Sequence, residues 1–165
     1  MPQTDLAAFR LRCRQFRWLA VFMVISVAAL LILANLAAPV AQWLRGERVL
    51  SDAFWRGLIM TIPTVCYLFG VWSIGRAMKR IADGAMLQPA VADALRRVGL
   101  ALGIGGMASV FGVTNLMRLL GLSSGGYLYF DVPGMTLGMI GGALFLLGRV
   151  MDQAAAAQAE LDEMI

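Results

Sequence analysis

The chain has 165 residues, of which 60% are hydrophobic and 15% charged, with a mean hydropathy of +0.76 and a formal net charge of +4. Globular chains carry roughly 25% charged and 45–50% apolar residues, so this composition excludes a soluble domain and a disordered chain alike and points to a membrane. Histidine is absent and lysine occurs once, at Lys79, which removes the usual axial haem ligands, most zinc sites and the commonest general base.

Residues 1–17 carry Arg10, Arg12, Arg14 and Arg17 and read as a basic cytoplasmic N-terminus. No charge follows from Trp18 to Leu44, and about 20 apolar residues cross the hydrocarbon, so a first span is expected over about 18–40. A basic start followed by Ala37 and Ala38 has the look of a secretory leader, but leader cores run only about 7–15 residues. The segment is expected to be a retained anchor. The next stretch, APVAQWLRGERVLSDAFWR, mixes Trp43, Leu50, Phe54 and Trp55 with Arg45, Glu47, Arg48 and Asp52. It reads as interfacial, with Gly46 as a break.

The second span is expected over 57–76, between Arg56 and Arg76. Pro63 removes a backbone donor there and frees the carbonyl of Ile59, with Thr61 and Thr64 close enough to re-satisfy the backbone. In KRIADGAMLQPAVADALRR, Gly84 is a breaker and Pro89 suits a first helical turn. Leu87, Val91, Leu95 and Val98 recur at helical spacing, with Asp93 and Arg97 paired on another side. This predicts a short amphipathic helix on the inner surface, its face of Leu87, Val91, Leu95, Arg96 and Arg97 meeting either anionic membrane lipid or a cytoplasmic protein partner.

The third span is expected over 98–120 and the fourth over 133–151. Ala101, Gly105 and Ser109 recur every fourth residue in the third, and Gly134, Gly138 and Gly142 do so in the fourth. Small residues at this spacing let helix backbones approach in lipid, so these two faces are expected to pack spans three and four into a hairpin, and they also offer an oligomer interface. Arg118, near the outer end beside Thr114 and Asn115, would be satisfied by Asp131, the only charge of the turn-rich GLSSGGYLYFDVPG. Residues 152–165 form an acidic tail with Asp152, Glu160, Asp162 and Glu163, rich in helix formers and facing the basic inner loop.

Ten Lys and Arg residues fall on the side of the termini (10, 12, 14, 17, 76, 79, 80, 96, 97 and 149) against four opposite (45, 48, 56 and 118). Positive-inside bias and an even number of spans agree on cytoplasmic termini. The fold class is all-α, an integral membrane four-helix bundle with short interfacial amphipathic helices. No acidic or basic residue lies in the middle of a span, which argues against a proton-coupled transporter. Cys13 and Cys66 fall at different depths and imply no disulfide. No phosphate loop, nucleophile elbow or paired-carboxylate site appears. No catalytic, cofactor or metal residue is assigned, and no nucleic-acid partner is expected.

IADGAMLQPAVADALRRVGLAL and the closing LLGRVMDQAAAAQAELDEMI resemble the bacterial membrane-protein family known as domain of unknown function 2975, over roughly Tyr67 to the end. The chain departs from that pattern in ending on DEMI, where members carry a more polar acidic run before a final aliphatic residue. The resemblance implies a four-span inner-membrane protein without assigned activity, encoded near small helix-turn-helix regulators, and it carries no functional residue. The expectation for function is a non-enzymatic accessory or regulatory component of a bacterial inner membrane, acting through its cytoplasmic face. The alternative is a small-molecule or ion transporter, with Pro63, Gly70, Asn115 and Arg118 lining a path.

Overall fold

The computed structural model describes residues 3–46, 52–83, 87–122 and 126–163, all of whose regular structure is helical. Helix α1 runs Gln3–Leu44 and α2 Asp52–Ala82. A third rod joins α3 (Leu87–Met107), a π turn (Ala108–Gly112) and α4 (Val113–Leu119). Helix α5 runs Val132–Glu163. Four stretches are long and apolar enough to cross a membrane: Leu11–Leu44, Phe54–Ala82, Gln88–Leu119 and Val132–Gln158. This is a multi-pass membrane protein.

Each helix is longer than its hydrophobic run. The basic N-terminal segment is continuous with the first span, and the acidic tail prolongs the fourth. The amphipathic segment between the second and third spans is not a separate helix but the beginning of α3. Pro89 occupies its first turn, where no intrahelical donor is needed, and no proline follows in the chain until Pro133. The breaker Gly84, the loop residues Glu47, Arg48 and Leu50, and Gly125 lie outside the described residues.

Contacts run in chain order: α1 packs on α2, α2 on α3, and α3 most extensively on α5. Between α1 and α2, Ala20 meets Gly75, and Asn35 Nδ2 donates to Thr61 Oγ1 at 3.2 Å. That hydroxyl donates to Gly57 O at 2.9 Å. An interhelical hydrogen bond suits lipid, where apolar burial contributes nothing between helices.

The α3–α5 seam departs from the expected spacing. A Cβ on Gly106 would lie 2.7 Å from Gly138 Cα, one on Gly141 2.6 Å from Gly99 O, and one on Gly148 2.8 Å from Ala92 O. One on Gly99 would strike the backbone of Phe145. The residues in closest approach are therefore 92, 99 and 106 against 134, 141 and 148, at intervals of seven. Two turns per repeat keep a contact face aligned along a long left-handed crossing better than steps of four. Gly142 is exposed with nothing near its Cβ position, while Gly134 and Gly138 do face α3. Ala101 and Gly105 turn instead to α2, against Gly70 and the Tyr67 ring. Span three thus spends its small residues on two neighbours, which a single every-fourth stripe does not capture.

At the end bearing the α4–α5 connection, here the loop end, α4 stops on Gly121 at φ +70°. Leu122 N–H bonds Met117 O at 2.9 Å and Gly121 N–H bonds Arg118 O at 3.0 Å, a Schellman closure that requires the left-handed residue. Arg56 Nη2 donates to Leu122 O at 2.8 Å and ties α2 to this corner.

Candidate functional site

At the loop end the chain folds back on itself. In the π turn Val113 N–H reaches Ala108 O, five residues back, and such turns shift the hydrogen-bond ladder and are frequent at functional sites. The carbonyl of Val110 is then free to accept Tyr129 N–H at 3.1 Å. Asn115 Nδ2 fixes the same segment through Tyr127 O at 3.2 Å. The returning strand of chain places Asp131 at the start of α5, its carbonyl accepting Met135 N–H at 2.9 Å. Its carboxylate Oδ2 accepts the hydroxyl of Ser109. At 1.5 Å per residue, Ser109 lies about 15 Å below the tip of α4, so the carboxylate is carried well down the flank of the third span.

This fold-back walls a cleft of about 490 Å³. Helix α2 contributes Met60, Pro63, Thr64 and Tyr67, the third rod contributes Ser109, Val113, Thr114 and Met117, and the returning segment contributes Gly126, Leu128, Tyr129 and Asp131. Among the described residues the lining is apolar with five hydroxyl groups, and Asp131 is its only ionisable acid or base other than the tyrosines. The Tyr67 hydroxyl is shielded from solvent and has no hydrogen-bond partner among the described residues. An unpaired buried hydroxyl costs about 1–3 kcal/mol, so the cleft holds an unused hydrogen-bonding group beside an anionic one. Neither Arg118 nor any other described cation pairs with Asp131. The expected Arg118–Asp131 ion pair is replaced by two separate contacts: the Arg118 guanidinium lies 3.9 Å from the centre of the Tyr127 ring, and Ser109 takes the carboxylate.

At the opposite end, which bears both termini, Asp93 joins two helices. Arg80 Nη1 of α2 bonds its Oδ2 at 2.9 Å, and Arg97 Nε of α3 bonds its Oδ1 at 3.0 Å. Arg96 Nη1 lies 3.7 Å from Asp152 Oδ2, and Gln88 Nε2 lies 3.4 Å from Gln158 Oε1, so the α5 extension is held against α3. Asp93→Ala leaves two arginines facing each other and is expected to lower thermal stability by about 1 kcal/mol. Melts at low and high salt measure this, and the loss shrinks as salt screens the pairs.

A model of one protein family, described as protein of unknown function (DUF2975), matches residues 15–165. The chain belongs to that family. No curated protein and no solved structure matches it significantly. For this DUF2975 member the residues themselves are therefore the source of any functional reading.

Set against that sequence, the geometry redistributes the anticipated site residues. Val91 packs against the buried cluster of Cys13, Ile81 and Ala90, and Leu95 meets Gly148. Both turn into the bundle rather than outward, because α3 continues into the span and its apolar stripe is needed to pack. The Leu87 side chain lies outside the described residues. Arg96 and Arg97 are engaged by Asp152 and Asp93. Of the anticipated path, Pro63 lines the cleft, Asn115 and Arg118 line a neighbouring hollow with Tyr127, and Gly70 is closed against Ala101. Tyr67, Ser109 and Asp131 come together as a site only through the fold-back, which leaves no local pattern to read.

Proposed function

We propose that this protein is a non-enzymatic accessory or regulatory component of a bacterial inner membrane, with both termini cytoplasmic, whose outward cleft takes up a small amphiphile bearing a cationic head. The observation that carries this reading is the Asp131 carboxylate and the Tyr67 hydroxyl, unpartnered among the described residues, in one apolar cleft with no cation among its described lining residues. An ammonium group at the other carboxylate oxygen supplies a counter-charge, tyrosine faces attract a cation, and the methionine, proline and leucine surfaces accept an alkyl chain. Support for binding over passage comes from the inward side of the cleft, where Gly105 lies on the Tyr67 ring and Gly70 on Ala101. The cytoplasmic face, where α5 is tethered to α3 through Asp152, is the natural place for a protein partner to read the occupied state.

Titrating the purified protein in nanodiscs with an alkylammonium and with the alcohol of equal chain length tests the reading. Saturable binding of the ammonium at least tenfold tighter than the alcohol is expected, and equal affinities overturn it. Reporter fusions after residues 47, 84, 126 and 165 test the topology. Periplasmic signals at 47 and 126 and cytoplasmic ones at 84 and 165 are expected, and a cytoplasmic signal at 47 or 126 contradicts it.

A further inference from the structure

Two groups stand out among the cations at the terminus-bearing end. Arg80, Arg96 and Arg97 face Asp93 or Asp152. Arg17 of α1 with Arg76 and Lys79 of α2 form no ion pair among the described residues, yet all three line one recess between those helices. Its floor is Ala20, Val21, Trp72 and Gly75, its volume is about 190 Å³, and no acidic residue lines it among the described residues. The recess exists because Ala20 and Gly75 let α1 and α2 approach closely beneath it, a Cβ on Gly75 lying 3.6 Å from that of Ala20. Long side chains on either helix then rise around a shallow hollow.

One face of α2 continues from this recess toward the middle of the membrane. Trp72, Phe69 and Val65 follow Arg76 at intervals of four, three and four, the spacing of one helix face. They are exposed by 39%, 53% and 56%. The Arg76 guanidinium lies 5.9 Å from the centre of the Trp72 ring. The face therefore grades from cationic through an amphipathic aromatic to apolar, over a length of about 20 Å from Lys79 to Val65 at 1.5 Å per residue. A soluble anion matches only its first part. A peptide acid matches no more, since its backbone donors and acceptors would meet an apolar surface in lipid.

We propose that the α1–α2 recess binds the phosphate of an anionic phospholipid, with Arg17, Arg76 and Lys79 around the headgroup and an acyl chain along Trp72, Phe69 and Val65. Basic recesses between spanning helices are a recurrent way of holding such headgroups. Because α1 packs chiefly on α2 among the described residues, a lipid bridging Arg17 to Arg76 and Lys79 also fastens the outermost helix to the rest.

The full chain, purified and delipidated in detergent, tests the assignment by native mass spectrometry with phosphatidylglycerol, phosphatidylcholine or inorganic phosphate added. One phosphatidylglycerol is expected to be retained at least tenfold more tightly than phosphatidylcholine, and to raise the melting temperature when phosphate alone does not. The variant R17Q/R76Q/K79Q is expected to lose that preference, whereas R80Q/R96Q retains it. Equal retention of the two lipids by the wild-type chain overturns the proposal without recourse to any variant. So does an unchanged preference in the triple variant, or protection by inorganic phosphate equal to that by phosphatidylglycerol.

Discussion

Leucine at Gly141 is expected to break the α3–α5 pair, while leucine at the adjacent Gly142 is expected to have little effect. A Cβ on Gly141 meets the backbone of α3 from two sides, at Gly103 N and at Gly99 O, and neither is a flexible side-chain end that can move away. A Cβ on Gly142 meets nothing. Overpacking costs typically 1–3 kcal/mol in soluble cores, and a whole isobutyl group between two backbones belongs at or above the upper end. Surface changes stay within about 0.5 kcal/mol. Unfolding titrations with a denaturing detergent separate the two, and a loss at Gly142→Leu equal to that at Gly141→Leu rules out the seam at intervals of seven. The contrast is sharp because the every-fourth pattern in the sequence names Gly142 and passes over Gly141.

That divergence shows how much of the architecture is readable without coordinates. The spans are legible because a charged group in hydrocarbon is costly enough to bracket each run, as Arg56 and Arg76 bracket the second and Arg97 and Arg118 the third. Which small residues meet which neighbour is not legible in the same way. Span three carries Gly99, Ala101, Gly103, Gly105 and Gly106 within two turns, and stripes at intervals of four and seven both pass through them. The choice is made by helices elsewhere in the chain: α5 takes Gly99 and Gly106, and α2 takes Ala101 and Gly105. The amphipathic stripe at the start of α3 is visible for a real physical reason, but its partner is the bundle rather than the lipid surface, since Val91 and Leu95 are turned toward α2 and α5.

The cleft lies further from sequence reasoning. A carboxylate one residue outside a span reads as an interfacial charge, and Asp131 acquires its depth only because the chain returns along α4 to the level of Ser109. That return depends on the π turn, which exposes Val110 O to Tyr129 N–H, and ASVFG carries no residue that demands a π turn over an α turn. The contact between Ser109 and Asp131 spans 22 residues, and no periodicity within either segment encodes it. The sequence places no charge in the middle of a span, while the fold lays one against the side of a span.

Substitution in the cleft distinguishes a binding site from a packing device by the sign of the effects. Asp131→Asn keeps the size of the side chain and an oxygen for the Ser109 hydroxyl, so the fold-back stays docked, but it removes the charge. Alkylammonium affinity is expected to fall 10- to 100-fold, about 1.4–2.8 kcal/mol, within or below the range for truncating one member of a buried charge pair. Ser109→Ala removes the hydrogen bond and keeps the charge. It is expected to cost about 1 kcal/mol of stability and to change affinity less than Asp131→Asn does. Tyr67→Phe is the decisive member. In the empty protein it deletes a hydroxyl that has no partner, so stability is expected to hold or to rise by about 1 kcal/mol, while ligand affinity falls. A residue kept only for packing gives no such opposition: there, Tyr67→Phe leaves ligand affinity untouched or lowers stability and affinity together. Paired melting and titration of the three variants reads both signs, and unaltered titration by Asp131→Asn removes the carboxylate from any role in recognition.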